Sequence, residues 1–236
     1  MFGRYGYYFD WTYILILIAA VISIIAQIRV NTTFKKYSHV ASASGITGAQ
    51  AADRILKSQG IYDVTIRQVA GNLTDHYDPR NKTLNLSNSV YNVNSVAAVG
   101  VAAHECGHAI QHAKGYAPLG LRSALVPVAN LGSKLSWLFI LAGMLFSFNH
   151  TLIVTGIIMF SLAVLFQLVT LPVEFNASSR ALQLLESNGI LYQNEVSMTR
   201  KVLSAAALTY VAAAASAILQ LIRLILLFGG NRSDRR

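Results

Sequence analysis

Apolar side chains along this chain fall into long runs separated by one broad polar stretch. The first run, residues 11–30, has the length of one bilayer crossing. Residues 31–134 form the most polar long stretch. Runs at 135–148 and 151–173, divided by Ser147-Phe148-Asn149-His150, predict a helical hairpin through the membrane, with Leu131 to Leu135 available to lengthen the short first arm. A last run, 205–228, is apolar except for Arg223. The pattern divides the chain into an N-terminal membrane anchor (1–30), a polar domain (31–134), a transmembrane hairpin (135–173), a helical segment (174–204) and a C-terminal membrane helix with a basic tail (205–236). The fold class expected is a mainly α integral membrane protein, with about four membrane helices and a small α+β domain.

Within the polar domain, Thr47-Gly48-Ala49-Gln50 fits a capping box that opens a helix ending near Gly60. Asp63 to Ala70, with Val64, Ile66 and Val69, reads as a strand. Leu73–Tyr77 and Thr83–Leu86 flank the turn-forming run Asp78-Pro79-Arg80-Asn81, which predicts a β-hairpin. Asn92 to Lys114 is rich in Ala and Val and predicts a helix stopped by Gly115. Beyond the hairpin, Pro172 is expected to kink or restart the helix, and Glu174–Leu185 reads as a helix stopped near Asn188-Gly189.

Composition supports the membrane reading. The chain is 54% hydrophobic and 12% charged, about half the charge of an ordinary soluble domain, and its mean hydropathy is +0.47. Tyr5, Tyr7, Tyr8, Trp11 and Tyr13 cluster at the start of the first run as an interfacial belt would. That run is longer than a signal-peptide core and predicts a retained anchor. The net charge of +9 does not point to nucleic acid, because no basic run is interleaved with aromatics. The basic residues sit between the apolar runs, ten of them in 31–134 and none at the hairpin tip. The positive-inside rule then puts the polar domain in the cytoplasm. Arg232, Arg235 and Arg236 conflict with that topology if the last run crosses fully. The single cysteine, Cys106, excludes a disulfide framework and a cysteine zinc knuckle.

Candidate chemistry is concentrated in Ala102-Ala103-His104-Glu105-Cys106-Gly107-His108-Ala109, an H-E-x-x-H inside a predicted helix. Histidines four apart share a helix face, one turn up, and converge on one Zn²⁺. Glu105 lies about 100° round the helix, placed to act as general base toward a water that the metal activates. Cys106, about 200° round from His104, is expected to be a packed small hydrophobe. Gly107 suggests a close approach by another helix or by substrate. His112 lies too far along the helix to share the ion. A catalytic zinc needs a third protein ligand and an open position. Glu174 is the leading candidate, directly after a span; His76, His39 and Glu186 are rivals, and His150 falls at the opposite end of that span.

The segments Ala102–His112, Asp75-His76-Tyr77-Asp78-Pro79-Arg80 and Pro172-Val173-Glu174-Phe175-Asn176-Ala177-Ser178 resemble the YugP-like family of bacterial membrane zinc metallopeptidases, over nearly the whole chain. The resemblance implies a gluzincin whose zincin-like domain holds a short sheet before the H-E-x-x-H helix. It matches His104 and His108 to the histidine ligands, Glu105 to the base and Glu174 to the third ligand. The chain is more distantly similar to HtpX-type heat-shock proteases and prenyl-protein endopeptidases. Those carry an aspartate four residues after the glutamate ligand, where this sequence has Ser178, with Asn176 nearby.

The expected activity is zinc-dependent hydrolysis of peptide bonds in membrane or membrane-proximal proteins, with one Zn²⁺ as cofactor and the membrane and a peptide substrate as partners. An extended peptide is expected to add to the sheet edge in 73–87. Tyr77, His76 and Arg180 are candidates for oxyanion stabilisation. Two other readings keep part of the chemistry: a non-enzymatic scaffold with a structural metal, and a zinc hydrolase of a non-peptide bilayer substrate.

Overall fold

The computed structural model describes residues 10–229; Tyr5, Tyr7, Tyr8 and the C-terminal arginines lie outside them. Helix α1 covers Tyr13–Ser38, α2 Gly48–Ser58, α3 Val96–Ala113, α4 Ala117–Leu145, α5 His150–Ser187 and α6 Gln193–Phe228, with strands β1 (Thr65–Val69), β2 (His76–Asp78) and β3 (Thr83–Ser87) between α2 and α3. Four helices, α1, α4, α5 and α6, are long and apolar enough to cross a membrane. The protein is therefore a mainly α membrane protein carrying a small α+β unit. Leu17, Ile24, Ile25 and Ile28 on α1 are all more than half exposed, as expected of side chains that meet lipid.

Locally encoded elements appear where the sequence puts them. The α2 capping box is formed: Thr47 Oγ1 accepts from the Gln50 amide and Gln50 Oε1 from the Thr47 amide. Helix α3 starts at the Ser95 N-cap and stops before Gly115, which adopts φ +61°. The β2–β3 hairpin is antiparallel, but β1 pairs with β3 in parallel, so the sheet order is β1-β3-β2. β3 is buried along its length, with Leu84 and Leu86 fully enclosed against α2 and α3. The Asp75 carboxylate fixes the hairpin by accepting from both the amide and the hydroxyl of Ser87.

Four helices differ from expectation. α1 runs past residue 30 to Ser38, and α6 starts at Gln193, not near residue 205. The first arm of the hairpin begins at Ala117, well before residue 131. Arg122, Pro127 and Lys134 interrupt its hydropathy but not its helix. Helix α5 runs unbroken through Pro172. The ring removes one backbone donor without ending the helix, and α3 packs against the same stretch, with Gln111 bonding the Val173 carbonyl and Gly107 meeting Ala177. Thirty-eight residues rise about 57 Å, nearly twice a hydrocarbon core. Glu174 sits about 36 Å along α5 from His150, near where a spanning helix would emerge.

Small residues bring α4 and α5 together: a Cβ on Gly156 would meet the Ser136 carbonyl at 2.7 Å. At the opposite end, Arg223 of α6 neither breaks the helix nor stands alone. Its guanidinium reaches Asp10 at 3.4 Å and the Thr12 hydroxyl at 3.2 Å, and stacks over the Tyr13 ring. One charged pair thus fastens the start of α1 to the end of α6.

Candidate metal centre

α3 presents His104 and His108 on one face, their rings edge to face with centroids 4.8 Å apart. α5 crosses this face. Glu174 Oε2 lies 3.3 Å from His104 Nε2 and 3.5 Å from His108 Nε2. Two ligand atoms each about 2.05 Å from a tetrahedral zinc stand about 3.3 Å apart, so the contacts already have metal-site spacing. Among the described residues, these three side chains form the group of His, Cys, Asp and Glu able to hold a metal ion. Of the rival ligands, His76 is bonded to Asn85 on the sheet, and His39 and Glu186 are exposed on other helix ends.

A second test uses burial. Glu174 is 1% exposed, and its Oε2 has no hydrogen-bond partner. A buried acceptor left unpaired costs on the order of 1–3 kcal/mol, a cost that a cation bound between the three side chains would remove. The donor set of two imidazoles and a carboxylate fits zinc with one position left open.

Both imidazoles are oriented from behind. Ser178 Oγ is 3.1 Å from His104 Nδ1, one turn beyond Glu174 on α5. His108 Nδ1 is 3.1 Å from Gln111 Oε1. The Gln111 amide donates to the Val173 carbonyl at 2.8 Å and to Asn176 Oδ1 at 3.0 Å; Asn176 also accepts from Arg180. The contacts at Nδ1 hold both rings with Nε2 turned toward the Glu174 carboxylate. Ser178 therefore braces His104 directly, and Asn176 braces His108 through Gln111. Gln111 was not singled out from sequence, although its place one turn after His108, on the same face, was a usable signal.

Burial disfavours a charged His108, but the facing Glu174 and Glu105 carboxylates outweigh it and raise the imidazole pKa above its ordinary value. Glu105 is 8% exposed, and no described side chain hydrogen-bonds its carboxylate, which leaves it free to take a proton. Cys106 points away from the site, fully buried, with its sulfur 3.7 Å from the Ala52 carbonyl. Burial pushes its thiol pKa well up, so it is an inert part of the core.

Gly107 is explained by α5. A Cβ there would stand 2.6 Å from the Ala177 carbonyl, so the two helix backbones touch between the histidines and their glutamate. Gly107→Ala gains up to about 1 kcal/mol of helix propensity, but overpacking costs roughly 1–3 kcal/mol. We expect a lower thermal midpoint and weaker zinc retention; a midpoint at or above wild type would show that the approach is not tight.

Each sequence candidate for oxyanion stabilisation makes at least one hydrogen bond, Arg180 through its Nε alone. Tyr77 bonds His112 Nδ1 at 2.8 Å, His76 bonds Asn85 and the Thr74 carbonyl, and Arg180 bonds Asn176. Two unexpected residues border the cluster instead. Arg122 of α4 lies 3.7 Å from Glu174 Oε1. The half-buried Tyr210 of α6 has Glu174, Glu105 and Arg122 as charged neighbours.

Residues 12–229 match the family described as "Putative neutral zinc metallopeptidase". The chain belongs to this family. It is also 49% identical over 223 residues, 94% of this chain and 99% of the relative, to the "Putative membrane protease YugP" of Bacillus subtilis (strain 168). No solved structure matches the chain. Membership in the zinc metallopeptidase family agrees with the donor set on α3 and α5, and the relative's description as a membrane protease agrees with the four apolar helices.

Proposed function

We propose that this protein is a zinc-dependent endopeptidase that cuts membrane or membrane-proximal proteins. His104, His108 and Glu174 hold one Zn²⁺, and Glu105 is the general base. The observation that carries the reading is the Glu174 oxygen within 3.5 Å of both Nε2 atoms, buried and otherwise unpartnered.

Zinc bound there would polarise the scissile carbonyl and make water acidic near neutral pH. Glu105, one residue after His104 and turned from the ligand face, accepts the water proton as the oxygen bonds the carbonyl carbon. It then delivers that proton to the leaving nitrogen as the C–N bond breaks. Ser178 and Gln111 hold the two imidazoles in the tautomer that presents Nε2. The substrate chain adds in extended form to the outer edge of β2. That edge strand is tied to the zinc helix by the Tyr77–His112 contact.

The membrane side of the proposal rests on length: Glu174 falls about where α5 would leave a bilayer, with α3 and the sheet beyond it. The ten basic residues of 31–134 favour the cytoplasmic face of a multi-pass cell-membrane protein.

The test uses full-length protein in nanodiscs and a quenched fluorescent peptide library. One half is anchored to the bilayer by a lipid tail and the other is free. We expect cleavage that is lost on chelation, restored by zinc and faster on the anchored library. Equal rates on the two libraries would refute the membrane-proximal preference. Indifference to chelation would refute the metallopeptidase reading itself.

A further inference from the structure

Among the described residues, two buried side-chain polar atoms lack a hydrogen-bond partner: Glu174 Oε2 and Arg122 Nε. Both belong to one ion pair, and they ask for opposite things. The carboxylate oxygen is an acceptor that a cation satisfies. The guanidinium Nε is a donor, and a cation beside it makes its position worse. It needs an oxygen carrying negative charge. The neighbouring Glu174 Oε1, at 3.7 Å from Nη2, is too far to be a hydrogen-bond acceptor. The Arg122 side chain as a whole is 31% exposed, and its Nη2 stands beside the ligand cluster.

Arg122 reaches this position from the second turn of α4, a helix otherwise engaged with α5. On the same cluster, Tyr210 of α6 turns its phenol hydroxyl toward the Glu174 carboxylate. Donors from two helices thus converge beside the candidate metal ligands.

We propose that Arg122, assisted by Tyr210, is the oxyanion-stabilising group of the peptidase. As the water oxygen bonds the carbonyl carbon and the C=O π pair moves onto oxygen, Arg122 donates an N–H to that oxygen. No proton is transferred, and the bond is released when the π pair returns and the C–N bond breaks. The charge-assisted contact is stronger in the transition state than with the neutral carbonyl, so it acts on kcat. This proposal rests on the metallopeptidase reading and extends it to the residue that meets the developing charge.

The test combines zinc content, binding of an N-phosphoryl dipeptide and cleavage of the anchored library, all on full-length protein in nanodiscs. The tetrahedral phosphoryl anion copies the charge and shape of the reacting carbon. Arg122→Gln should keep zinc near wild-type stoichiometry, lower kcat by about 10²–10³-fold and leave KM within about twofold. The phosphoryl dipeptide should lose affinity in parallel. Arg122→Lys should recover part of both, and Tyr210→Phe should show a smaller loss of each. Wild-type kcat and probe affinity in Arg122→Gln would overturn the proposal. So would a loss explained wholly by missing zinc, because Arg122 would then only position Glu174. Glu105→Gln separates the two levels. If it abolishes cleavage while Arg122→Gln changes nothing, only the oxyanion assignment falls. If wild type binds neither zinc nor the probe, the metallopeptidase reading falls with it.

Discussion

Glu105→Gln is expected to leave zinc bound and to remove peptide cleavage. The substitution keeps the shape of the side chain and discards only its ability to take a proton. Glu105 lies between the two histidines in sequence and hydrogen-bonds neither of them nor Glu174, so the ligand geometry does not rest on it. The folded protein should therefore be unchanged, and kcat/KM on the anchored library should drop by about 10²–10⁴-fold, or roughly 3–5 kcal/mol of transition-state stabilisation. Zinc analysis of the same preparation makes the comparison decisive. Full zinc with lost cleavage assigns the base. Cleavage at the wild-type rate would remove Glu105 from the chemistry and leave a structural metal as the better reading of the site.

What could be read from sequence follows from how local each feature is. The capping box at Thr47 and the hairpin turn at Asp78 are written in adjacent residues, and each forms as the sequence suggests; α3 forms too, but starts at Val96 behind the Ser95 cap, not at Asn92. His104 and His108 were visible because helical periodicity alone puts residues four apart on one face. Hydropathy misplaced the start of α4, because Arg122, Pro127 and Lys134 make its first turns look like loop. That same polarity serves the site, where Arg122 meets Glu174. The restart expected at Pro172 did not occur: α5 is helical through it, with α3 packed against Val173 and Ala177. Arg122 and Tyr210 escaped notice for a different reason: they come from helices far from the motif in sequence, and only packing brings them to Glu174. Arg223 looked like a fault in the last membrane helix until Asp10, more than two hundred residues earlier, supplied its partner.

The largest effect on metal binding should come from Glu174. Glu174→Ala removes the one carboxylate that reaches both Nε2 atoms and leaves two imidazoles, which cannot complete a three-ligand site. It also strands Arg122 as a partly buried cation without its counter-ion. Gln111→Ala provides the scale for comparison, because Gln111 meets the ligand set only at the back of His108, its other bonds going to Val173 and Asn176, and its loss should weaken zinc by about 10–100-fold. Glu174→Ala should exceed that loss, and thermal unfolding can read the difference. A protein at about 100 times its zinc Kd gains roughly 2.7 kcal/mol from the ion, so added zinc should raise the wild-type midpoint, raise that of Gln111→Ala less and leave that of Glu174→Ala unmoved. If zinc instead stabilised Glu174→Ala as strongly as wild type, another side chain would have to be the third ligand, and the short contacts on α5 would belong to an ordinary buried ion pair.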